Sequence, residues 1–170
     1  MLEPAQTILK DVAMAADDST PNPYSTRLTL DSGPFAGWIS WGQGADPFET
    51  LVGPFAYRVH DNGFIEIAFQ PETRHLNGGG AIHGGCLMSF ADFALFAIAH
   101  ESLKDGQMAV TLTCNSEFLA AGDTNGWITA EGEIVKETGS IIFVRGLVKQ
   151  RGKPILTFSG TLKKLKRVNG

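Results

Sequence analysis

Residues 84–99, GGCLMSFADFALFAIA, are apolar on nearly every side of a helix, with Ser89 and Asp92 the main exceptions. A helix hydrophobic all round has no face to give to water and must be buried on every side. Either a bilayer or the rest of the protein has to surround it. The stretch 81–99 is just long enough, at 19 residues, to span a membrane. Asp92 near its middle, the glycines crowded at one end and the strand-like segments on either side argue for the second surrounding. The expectation is an α+β layout: one long central helix rolled inside an antiparallel sheet of five or six strands.

The flanking segments supply that sheet. Upstream, YRVHDNGFIEIAFQ holds two apolar runs broken by Asp61-Asn62-Gly63, a strong hairpin signal. Downstream, runs at 108–118, 128–137, 141–150 and 155–165 alternate with period two between turn residues, and read as consecutive antiparallel strands. In the first of these, Val110, Leu112, Cys114 and Phe118 face one way while Thr111, Thr113, Asn115 and Glu117 face the other. Residues 47–55 are a short helical candidate. Residues 1–45 show no sustained strand period and read as an N-terminal extension, with a short amphipathic helix candidate over 4–16. The expected domain is 46–170.

At 170 residues the chain is about one domain, and 43% hydrophobic with 19% charged residues excludes a disordered or collagen-like protein. A net charge of -4 leaves no positive field to hold nucleic acid or an anionic membrane, and the only basic cluster is the tail 163–167. Two cysteines, Cys86 and Cys114, are too few for a disulfide scaffold, and no leader pattern opens the chain, so a cytoplasmic setting is expected. No HExxH, CxxC or paired-His spacing points to a metal, and no GxSxG elbow points to a Ser-His-Asp triad.

A carboxylate in the middle of an apolar helix costs several kcal/mol unless it is paired, solvated or protonated. The helical neighbours of Asp92 are Met88, Ser89, Leu95 and Phe96, none of them basic. Asp92 must therefore find water, a donor or a ligand outside its own helix, which makes it a functional candidate. At the head of the helix, His83-Gly84-Gly85 follows Asn77-Gly78-Gly79-Gly80. Glycines let the backbone approach a ligand closely, and a first turn has free N–H groups at the positive end of the helix dipole. Together they can make an oxyanion hole. Eight residues of helix separate Gly84 from Asp92 by about 12 Å. A single site needs each within about 3 Å of reacting atoms. Either the two serve different ends of a ligand, or two chains contribute. Antiparallel helices across a dimer axis would bring Gly84 of one chain to Asp92 of the other, so a dimer with two interfacial sites is expected.

Asn77, His83-Gly84-Gly85 and Asp92 together resemble the hotdog-fold acyl-CoA thioesterases, specifically the phenylacetic-acid-degradation, PaaI-like branch. The match lies in an Asn six residues before the His, an HGG that opens the central helix, and an Asp nine residues after the His. It extends from about residue 47 to 165, where VTLTCNSEFLAAG is similar to the family's strand after the helix, and does not cover the first 45 residues. The resemblance implies hydrolysis of an aromatic or fatty acyl-CoA to free acid and CoA, with no metal or other cofactor. It implies that the Gly84 N–H polarises the thioester carbonyl, with Asn77 and His83 ordering the loop and the substrate or water. Asp92 of the facing subunit would be general base, or alternatively nucleophile. A Ser or Thr on the next strand assists in the family; Thr111 is the best match, with Thr113 the alternative on the same face. Gly85, Phe48, Phe55 and Thr113 are the substrate-side candidates. The resemblance further implies a homotetramer built as a dimer of dimers, with no nucleic-acid or membrane partner. The rival on the same fold is a non-catalytic acyl-CoA binding or sensing protein.

Overall fold

The computed structural model describes residues 27–41, 46–104 and 107–165. The helix candidate over 4–16 lies outside the described residues. Eight strands are present among them: Leu28–Thr29 (β1), Ile39–Ser40 (β2), Ala56–Val59 (β3), Ile65–Phe69 (β4), Ala109–Phe118 (β5), Ile128–Glu137 (β6), Ile141–Gln150 (β7) and Lys153–Lys164 (β8). They form one antiparallel sheet in the order β1-β2-β3-β4-β6-β7-β8-β5. Among the described residues two α-helices accompany it, Pro47–Val52 (α1) and Gly84–Ile98 (α2).

The long helix on an antiparallel sheet is the expected architecture, with more strands than the five or six expected. The surplus comes from β1 and β2, two residues each. Elements that short cannot display a period; the open edge of β3 creates them by pairing, Ile39 opposite Tyr57. The strand order also differs. β6, β7 and β8 are consecutive neighbours, but β5 pairs with β8 and β6 pairs with β4. The crossover through α2 carries the chain to the far edge of the sheet, and the loop after β5 returns it.

The hairpin forms as its sequence predicts: the His60 carbonyl accepts from the Gly63 N–H, and Gly63 supplies the left-handed φ of 80° that the turn requires. α2 starts at Gly84, with His83 as its extended N-cap. Leu87, Phe90, Ala91, Ala94, Leu95 and Ile98 are buried against β4, β5, β6, β7 and β8. The helix sits that close because the sheet is glycine where it touches. A Cβ on Gly160 would overlap Leu95 Cδ1, and one on Gly132 would lie 2.6 Å from Ile98 Cδ1.

Among the described residues, burial of the helix on every side is not reached. Gly85, Met88, Ser89, Asp92 and Phe96 fall on one stripe of α2 that the sheet leaves open, and Met88 is 43% exposed. On the outer face of the sheet, Leu30, Phe35 and Trp38 build a small second core over Ala56 and Ala68. Trp127 packs edgewise onto it, and the Arg58 guanidinium lies over the Trp38 ring.

Candidate functional site

The strand after α2 decides which side chain meets Asp92. Thr111 pairs with Leu162 but Thr113 pairs with Thr161, so β5 slips by one residue between them. This bulge turns Thr111 inward and leaves Thr113 exposed on the opposite face. The expectation that the two threonines share a face is thereby corrected. Cys114, paired with Gly160, returns to the core side. The Thr111 hydroxyl donates to Asp92 Oδ1 at 2.8 Å. Asp92 is half-buried on the open stripe, and burial is the main force raising its proton affinity. The Thr111 hydrogen bond pulls it partly back, and the Asp46 carboxylate adds to the rise.

At the other end of α2, His83 Nδ1 accepts the Gly85 N–H at 2.9 Å, which leaves His83 Nε2 as its donor. No acceptor among the described residues takes the Gly84 N–H. A Cβ at Gly84 would come 3.1 Å from the exposed Phe118 ring, which would have to move by a few tenths of an ångström to admit it. Asn77 organises the glycine loop before it: its Oδ1 accepts from the Gly79 and Ala81 N–H groups, and its own N–H bonds the Ala81 carbonyl. The loop is tied down again where the His83 N–H meets the His75 carbonyl.

The two aromatic candidates separate. Phe55 is wholly buried among Phe69, Phe90 and Phe93, whereas Phe48 is 58% exposed on α1. α1 itself exists because Asp46 caps it, accepting from the Phe48 and Glu49 N–H groups at 3.0 Å each, with Pro47 in its first turn and Gly53 at its end. It brings in a residue the sequence did not single out. Glu49 turns inward, its Oε2 buried without a hydrogen-bond partner, within electrostatic reach of Asp46 and Asp92. A Glu three residues after an Asp cap looks like routine first-turn charge, which hides it.

Chemically, the described residues offer a desolvated carboxylate with a hydroxyl donor and, about 12 Å along the same helix, an unpartnered amide. The first can activate water; the second can stabilise a developing oxyanion. Among the described residues no group of His, Cys, Asp and Glu could hold a metal ion, and no helix is long and apolar enough to cross a membrane. Burial pushes the Cys86 thiol up to about 11, which suits a packing residue.

The Thioesterase superfamily matches residues 79–156. The acyl-coenzyme A thioesterase PaaI of Escherichia coli (strain K12) is 34% identical over 103 residues, 59% of this chain and 70% of that protein. In structure the chain is similar to a Bacillus halodurans protein solved with CoA, at TM-score 0.61 and 24% identity over 65% of this chain and 74% of that one. It is also similar to a variant of the phenylacetic acid degradation protein PaaI of Thermus thermophilus, at TM-score 0.59 and 27% identity over 71% and 100%. With the central helix on its antiparallel sheet, these matches define the class: the chain belongs to the thioesterase superfamily, has the hotdog fold, and is a thioester hydrolase. Within that class it is PaaI-like.

Proposed function

We propose that this enzyme hydrolyses aromatic or fatty acyl-CoA thioesters to the free acid and CoA, at two sites formed between two copies of the chain. The observation that carries the reading is the Asp92 carboxyl, desolvated, facing the open stripe of α2 and held by the Thr111 hydroxyl. In the proposed reaction Asp92 takes a proton from water as the water oxygen attacks the thioester carbon. Negative charge moves to the carbonyl oxygen, where the Gly84 N–H of the facing copy receives it. The carbon–sulfur bond then breaks and the sulfur takes the proton from Asp92. Desolvation makes Asp92 a stronger base than an exposed carboxylate. Thr111 orients it, Asn77 and His83 hold the glycine loop, and Gly85 and the exposed Phe48 lie on the substrate side.

Two features support the dimer. Among the described residues β5 ends the sheet, and its ten-residue outer edge carries the exposed Leu112 and Phe118, a surface that favours pairing with another strand. The separation of about 12 Å between Gly84 and Asp92 on one helix favours a second chain as the source of one of them, if both are to act at one reacting carbon. Assembly of two dimers into a tetramer, a catalytic domain over 46–170 and an extension over 1–45 belong to the same proposal. The names of the E. coli thioesterase and of the CoA-bound Bacillus structure support CoA as the carrier. A reducing cytoplasm suits the free thiols Cys86 and Cys114.

The test is CoA release from short, long and aromatic acyl-CoAs. Asp92→Ala is expected to lower turnover by about 10²-fold or more. A variant within a few-fold of wild type removes Asp92 from the base role. Binding of acyl-CoA without release by the wild type moves the protein to the binding class.

A further inference from the structure

Glu49 and Asp92 are two half-buried carboxyls within electrostatic reach of each other, and their surroundings are unequal. Asp92 has a donor, the Thr111 hydroxyl. Glu49 has none for its buried Oε2, and no Lys, Arg or His among the described residues forms an ion pair with it. The charged groups that face it are Asp46, at the cap of its own helix, and Asp92 on α2. Arg74 does reach α1, but its guanidinium is spent on the Leu51 and Gly53 carbonyls and on Glu72. On β5, Thr111 and Cys114 face Asp92. A carboxyl buried without a donor and within reach of two other carboxylates gives up its charge more readily than one held by a hydroxyl. The carboxyl with a hydroxyl donor keeps the charge, and the one without keeps the proton.

We propose that Glu49 is a positioning residue for Asp92: the pair carries a single negative charge, with the proton held on Glu49 and the charge held on Asp92 by Thr111. The inference rests on the reading of Asp92 as the base. Burial, with the Asp46 and Asp92 charges adding to it, pushes the Glu49 carboxyl up to about 8, in keeping with this assignment. Below that range Glu49 is neutral and Asp92 is the one anion of the pair. Above it, a second negative charge appears beside the place where a substrate oxygen must gather charge, and catalysis weakens.

The experiment is a pH profile of kcat/KM for CoA release, with each enzyme normalised to its own maximum. Wild type is expected to fall toward about tenfold per pH unit above the ionisation of Glu49. Glu49→Gln, neutral at every pH, is expected to stay flat through that range. The same alkaline limb in Glu49→Gln overturns the proposal. A second measurement does not use activity: carbon-13 NMR titration of the Glu49 carboxyl. Glu49 is expected to titrate well above the ordinary glutamate range in wild type and to move down in Asp92→Asn. Ordinary titration in wild type, or no movement in Asp92→Asn, also overturns it. Should Asp92→Asn remain active, the base reading fails while the titration still decides whether the two carboxyls form a pair.

Discussion

At Asp92 two opposing effects meet in one carboxyl. Burial raises its affinity for the proton, and the Thr111 hydroxyl at 2.8 Å lowers it. Thr111→Val keeps the shape and removes the donor. One hydrogen bond to a charged group is worth about 1.5 kcal/mol, so turnover is expected to fall about tenfold. Loss of a group that favours the ionised form also raises the carboxyl's proton affinity, so the acid limb of the pH–rate profile moves to higher pH. A limb that stays in place would show that the bond does not tune Asp92. The pairing was only half legible in the chain. Asp92 stood out because nothing on its own helix could satisfy it, whereas the choice between Thr111 and Thr113 depended on a bulge that leaves no local signature. Glu49 was hidden by its resemblance to ordinary cap chemistry.

The central helix and the strands beneath it fit through absent side chains. Gly160 lies under Leu95 and Gly132 under Ile98, each where a Cβ would meet atoms inside normal contact distance. Gly160→Val would force α2 away from β8, a mismatch that costs about 3 kcal/mol or more in a close-packed core. The urea midpoint of unfolding is expected to drop accordingly, and an unchanged midpoint would contradict the seating of α2 described above. Turn chemistry made the β3–β4 hairpin readable, and alternation made β6 and β7 readable with their bounds. β8 begins two residues before the expected start, and Pro154 joins it at a register shift opposite Val148 and Lys149. A local proline signal predicts a turn there; the neighbouring strand accommodates it instead.

Over the whole molecule, the described residues leave a stripe of α2 and the outer edge of β5 uncovered, and the proposed dimer would use both. If each site takes Gly84 from one copy and Asp92 from the other, two inactive variants should complement. Gly84→Pro removes the amide hydrogen at the first position of α2, where proline fits helix geometry and His83 is already extended. Its ring requires only that the exposed Phe118 side chain shift. Mixed and refolded with Asp92→Ala, it forms heterodimers with one intact site of two. Statistical pairing then predicts about a quarter of wild-type activity from two silent parents. No recovery, with heterodimers verified by sedimentation and mass spectrometry, would place both groups in one chain or neither in the site.

Local rules were enough to determine the long apolar helix, its glycine-rich start, the nine-residue interval from His83 to Asp92, the hairpin and the period of the later strands. Helix periodicity, turn chemistry and strand alternation act within a few residues and are written in the chain itself. Tertiary structure alone decided the order of the strands, the two short strands added at the edge of β3, the bulge that faces Thr111 to Asp92, and the burial of the Glu49 carboxyl. Each of these is set by contact between segments distant in sequence, where the free energy of pairing and desolvation belongs to both partners and to neither sequence alone.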